Sequence, residues 1–139
     1  MPKRTDIFAP TIEKTNQLLL DIEAEFGWKD KKQAYAALKA ILHSLRDRLS
    51  VNEAVDLGSQ LPMLVRGFYY EGWKPAKVPV KMNKSEFFLL VIDKLGQPFG
   101  TTVEDLIRRV LKILSRYVAE GEFEDLKSTL PKDMKDLLP

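Results

Sequence analysis

The residue types that carry most protein chemistry are scarce in this 139-residue chain. It has no cysteine, which excludes disulfides, thiolate metal sites and a cysteine nucleophile together. Its single histidine, His43, excludes any site that needs two imidazoles. The cluster Glu120, Glu122, Glu124 and Asp125 offers carboxylates to a cation, but it lacks the alternating oxygen ligands and the glycine of a calcium loop. Acids that open a short helix complement its dipole, and that role is expected here. No phosphate-binding glycine loop, nucleophile elbow or Ser-x-x-Lys pair occurs. Thr11-Ile-Glu-Lys14 only mimics the last of these and reads as a helix start. No catalytic residue, cofactor or metal ligand is therefore assigned. A non-catalytic interaction protein is expected, ahead of an enzyme built on scattered carboxylates.

Two other groupings suit binding. In "RGFYYEGWK", Arg66, Tyr69, Tyr70 and Trp73 concentrate large rings beside a guanidinium. Such residues either pack a linker or anchor a protein partner, since Tyr, Trp and Arg are favoured at interfaces. These four are the candidate partner-binding residues. Arg108, Arg109, Lys112 and Arg116 share one side of a helix and could lie along phosphates. Glu104 and Asp105 dilute them, so a solvated face is the better expectation and nucleic-acid binding the alternative. The net charge of +2 divides as +1 for residues 1–70 (ten basic, nine acidic) and +1 for 71–139 (twelve and eleven), so neither half is a basic arm. His43 has Lys112 as its counterpart in the repeat described next, which predicts an exposed position.

The elements that must position these residues are legible as a duplication. "DLGSQLP" at Asp56–Pro62 returns as "DLKSTLP" at Asp125–Pro131, displaced by 69. At that offset Asn16–Tyr70 aligns with Ser85–Pro139 without a gap. The apolar pattern agrees as well as the identities do. Ala34, Ala37, Leu38, Ile41, Leu42, Leu45 and Leu49 trace one helical stripe. Their counterparts Val103, Leu106, Ile107, Val110, Leu111, Leu114 and Val118 are all apolar too.

Caps set the boundaries. Gly27 and Gly96 suit helix ends that need positive φ. Ser50–Glu53, Asn83–Glu86 and Thr101–Glu104 have capping-box spacing. Each unit then reads as a helix near 10–26 or 84–95, a long one near 31–49 or 102–119, a short one near 51–58 or 121–127, and a last one from Pro62 or Pro131. Proline disfavours helical geometry just before it, so Leu61 and Leu130 should be extended, buried joints. The expected fold is all-α: two tandem four-helix units, 1–70 and 84–139, joined by a Pro/Lys-containing linker at 71–83. The units should pack with approximate two-fold symmetry into one compact domain, because a half of about 60 residues buries little apolar surface alone.

With 45% apolar residues the chain can fill a core. Its longest apolar run, Phe87–Ile92, is too short for a membrane span, and the start "MPKRTDIFAP" lacks a secretory apolar stretch, so a cytoplasmic location is expected.

The chain resembles the bacterial domain-of-unknown-function family numbered 2267. The resemblance rests on "KTNQLLLDIEAEFGW" and "AYAALKAILHSLRDRLSVNEAVDLGSQLPMLVRGFYYEGW", and less sharply on "SEFFLLVIDKLG" and "EFEDLKSTLPKDMKDLLP". It implies a small all-helical protein and transfers no catalytic residue.

Overall fold

The computed structural model describes residues 6–139; the start of the chain, Met1–Thr5, lies outside them. Seven α-helices occur among the described residues, with no strand. They are α1 (Ala9–Phe26), α2 (Lys31–Arg48), α3 (Val51–Gln60), α4 (Met63–Tyr70), α5 (Lys84–Leu95), α6 (Val103–Leu114) and α7 (Glu122–Thr129). Three 3₁₀ turns, Pro75–Lys77, Ser115–Tyr117 and Lys132–Leu137, complete the order.

The periodic stripe of α2 explains its central place. All seven stripe residues are buried, and the helix packs against α1, α4, α5 and α6. On α6, Leu106, Ile107, Val110, Leu111 and Leu114 are buried in the same way. One apolar cluster runs from Leu18 in α1 to Leu138, so both halves of the chain contribute to it.

The helix ends follow local chemistry. Gly27 and Gly96 take left-handed φ of 69° and 65°. Ser50 with Glu53, and Asn83 with Glu86, form reciprocal capping boxes. Leu61 and Leu130 are extended and buried, each directly before a proline. Burying such a leucine is worth about 1.5–3 kcal/mol, which fixes the corner between two helices.

Three expectations are corrected. The α6 cap is Thr102, whose hydroxyl accepts from the Asp105 N–H, while Thr101 donates to the Asp105 carboxylate. The Thr101–Glu104 box therefore does not form. Helix α6 stops at Leu114 rather than near 119, because Ser115 turns its hydroxyl back onto the Lys112 carbonyl and the chain tightens into 3₁₀ geometry. The last segment is likewise a 3₁₀ turn and not an α-helix: Met134 and Leu137, three residues apart, both face the core. No helix among the described residues is long and apolar enough to cross a membrane.

Candidate functional site

The sharp joint at Leu61-Pro62 ends the hydrogen-bond ladder of α3, with the Leu61 N–H closing onto Gly58 O, and Arg66 adds donors to the carbonyls around the break. Its Nε donates to Gly58 O at 2.9 Å, and its Nη2 donates to Ser59 O and Leu61 O at 3.2 and 3.1 Å. The neighbouring aromatics pack inward. Tyr69 is 0% exposed, and its hydroxyl donates to Ala54 O at 2.7 Å. Burial, and Tyr70 beside it, push the Tyr69 hydroxyl well above the usual tyrosine range. Tyr69 therefore presents no contact surface. Tyr70 and Trp73 are half-buried, with ring centroids 5.3 Å apart. Gly58 makes room for Tyr70 and Tyr69: a Cβ there would collide with the Tyr70 hydroxyl and lie 3.0 Å from the Tyr69 ring.

Two residues of α2 hold the other end of α4. Arg46 is only 3% exposed; its Nη1 donates to Tyr69 O and Glu71 O, both at 2.8 Å, and its Nε donates to Asp47 at 2.9 Å. His43 is half-buried rather than exposed, with Nε2 2.6 Å from Phe68 O. A carbonyl can only accept, so Nε2 carries the proton. Burial, opposed by that bond, holds the imidazole below its ordinary range. The expectation from Lys112 fails for a physical reason. A full α-helix ends over His43, whereas a 3₁₀ turn occupies the corresponding stretch after Pro131.

The four cations of the second long helix divide. Arg108 pairs with Glu104 and Asp136, and Arg109 with Asp105 and Glu25. The guanidiniums hold the Asp136 and Asp105 carboxyls below the usual range, and Lys84 does the same for Glu104. Lys112 and Arg116 are exposed and make no ion pair among the described residues.

Folding brings together Arg66 from one candidate set and Arg116 from the other. They line a cleft of about 410 Å³ with Lys14, Ser59 to Pro62 and Tyr117. The Tyr117 hydroxyl donates to Asp21 at 2.5 Å; burial first and that carboxylate second push it up to about 12. Nearby, the acidic start of α7 serves its helix, as Glu122, Glu124 and Asp125 all lie in the first turn. Glu122 is 7% exposed and accepts from Gln60 at 2.6 Å, and burial raises its carboxyl. Among the described residues, no group of three acids or histidines is arranged for a metal.

The family described as "Uncharacterized conserved protein (DUF2267)" matches residues 15–137. The chain belongs to it. No curated protein matches the chain. The DUF2267 match runs from within α1 through the final 3₁₀ turn, so the joint, the aromatic end and every cleft residue except Lys14 fall within the family's extent. The description carries no activity, and the residues must supply the functional reading.

Proposed function

We propose that the chain is a non-catalytic protein-interaction module acting in the cytoplasm. In this reading two related helical units, residues 1–70 and 84–139, pack about an approximate two-fold axis, with 71–83 as the linker. The observation that carries the functional reading is how the reactive side chains are used. The hydroxyls of Ser44, Ser59, Ser115 and Ser128 each donate to a carbonyl three or four residues back. His43 is bound to the Phe68 carbonyl. A nucleophile needs a base beside it, and none of these four hydroxyls has one; Ser50 does donate to the Glu53 carboxylate, but that pair is the capping box of α3.

The duplication is supported by paired details. Ser59 donates to Asp56 O and Ser128 to Asp125 O, both at 2.7 Å. A second cleft, of about 450 Å³, is lined in part by Arg48, Asn83 and Pro131. Those positions are Tyr117, Lys14 and Pro62 of the first cleft displaced by 69. Each cleft combines the joint of one unit with the end of the other unit's long helix, as a two-fold relation requires.

The partner surface comprises the exposed parts of Tyr70 and Trp73, half-buried rings that also pack against the core, beside Arg66; Tyr69 stays behind them as core. The ion pairs of Arg108 and Arg109 disfavour nucleic acid as the partner. Capture from the native host's lysate with wild type, Tyr70→Ala and Trp73→Ala, each with its melting curve, tests this reading. The variants should lose a protein that wild type retains, by about 2 kcal/mol of affinity, while melting almost as wild type does. Unchanged capture, or a melt lowered by a core-like 3–5 kcal/mol (roughly, as for Trp→Ala in cores), would refute it.

A further inference from the structure

We propose that the cleft at the α3–α4 joint binds a small phosphate-bearing anion, held between the two halves of the chain by Lys14, Arg66 and Arg116. This site goes beyond the protein-partner reading and depends on two residues, Lys14 and Arg116, that the partner surface does not use.

The charge of the cleft is the first argument. Its lining includes three cations and no carboxylate. None of the three belongs to an ion pair among the described residues, as is also true of Arg48 and Lys81 in the second cleft; what sets the first cleft apart is that no carboxylate lines it. Three unpaired cations around one concavity repel one another, and only Arg66 offsets this by its bonds to the joint carbonyls. They do focus a positive field on whatever enters.

The second cleft provides an internal control. It occupies the corresponding place in the other half, yet Arg48 and Lys81 there are joined by Glu86 and Asp133. The architecture thus produces the hollow without requiring uniform charge. What the first cleft adds is recognition of an anion.

Geometry narrows the ligand. Nε and Nη2 of Arg66 are committed to three carbonyls, which fixes the guanidinium in place before any ligand arrives. Its Nη1 has no acceptor among the described residues. A guanidinium with one free nitrogen offers a single prong, to a carboxylate and to a phosphate alike, so the choice of ligand falls to how the three cations are spaced. Lys14 lies in α1, Arg66 in α4 and Arg116 in the turn after α6, so the donors come from three separate elements. A multiply charged tetrahedral group, accepting one donor from each, matches that arrangement. The volume of about 410 Å³ lies within the range of small-molecule sites.

Calorimetric titration of the full chain with pyrophosphate at low salt tests the assignment, with citrate and a short single-stranded oligonucleotide as comparison probes. Saturable one-to-one binding is expected. Lys14→Ala and Arg116→Ala should each weaken it about tenfold or more, since each removes a charged donor. Lys112→Ala, an exposed cation outside the cleft, should leave affinity unchanged. The cleft variants should melt as wild type does, so a folding defect cannot imitate the result. Arg66→Lys should also weaken binding, but Arg66 supports the joint, so Lys14→Ala and Arg116→Ala are the deciding variants. Four results would each overturn the site: no saturable binding, equal loss in Lys112→Ala, tighter binding of citrate, or an oligonucleotide that binds tighter still. Because Tyr70 and Trp73 are untouched throughout, failure here leaves the protein-partner reading standing.

Discussion

Arg46→Met is the perturbation with the largest calculable effect. The wild-type guanidinium is almost wholly buried and donates to two carbonyls, Tyr69 O and Glu71 O, as well as to the Asp47 carboxylate. A hydrogen bond to a charged group contributes about 1.5–3 kcal/mol net, and an orphaned buried acceptor keeps its desolvation cost. Two offsets apply. Methionine refills much of the volume, and Lys94, 3.7 Å away, still faces Asp47. The expected loss is about 3–5 kcal/mol, the range for removing one member of a buried charged network. For a chain of this size that lowers the melt by roughly 10–15 °C. Urea unfolding followed by circular dichroism gives the free energy, and an unchanged slope keeps the comparison two-state. Arg46→Lys retains the charge without the planar fork and should recover about half the loss. A loss below about 1 kcal/mol for Arg46→Met, the size of an ordinary surface change, would refute the claim that Arg46 anchors the end of α4.

Two further outcomes follow from single contacts. In Gly58→Ala the new methyl collides with the Tyr70 hydroxyl, meets the Tyr70 ring at 2.7 Å and the Tyr69 ring at 3.0 Å, so the partly exposed Tyr70 must swing outward. The net cost should be about 1–2 kcal/mol after the helical gain of alanine, and smaller in a Tyr70→Ala background; wild-type stability for the single variant would contradict the contact. For His43, the folded value lies below the ordinary one of about 6.5, so the unfolded chain takes up the proton first as pH falls. Stability should therefore decline from about pH 6.5 downward to the folded value and be insensitive to this group above it. Because His43 is the only histidine, its imidazole NMR signal reports the titration directly, and a midpoint at or above the ordinary value would contradict the burial argument.

Much of the fold is legible in the sequence because helices declare themselves locally. The stripe of α2 is a 3.6-residue pattern, and every member predicted to be buried is buried. Gly27, Gly96 and the Ser50 and Asn83 boxes mark ends through bonds within three or four residues. The candidate site is less legible, because its determinants are long-range. Arg46 falls outside the apolar stripe of α2, yet it meets carbonyls 23 and 25 residues away. The residue 69 positions further on is Ser115, a change of residue type that sets the position apart in the sequence offset. Tyr69 reads as a contact residue and is core, because Gly58 lets its helix approach α3 closely. Nor does any periodicity bring Lys14, Arg66 and Arg116 to one cleft; only the packing of α1, α4 and α6 does that.

The proposed cationic recognition site lies where the Leu61-Pro62 joint meets the turn that follows α6. Amide NMR spectra recorded during pyrophosphate titration locate it residue by residue. Signals of Ser59–Leu61, Arg66, Arg116 and Tyr117 should shift together along one saturating curve. Those of Arg48, Asn83 and Asp133, in the mixed-charge cleft, should stay still. Equal shifts in both clefts, or shifts scattered over the lysines of the 71–83 linker, would rule the site out.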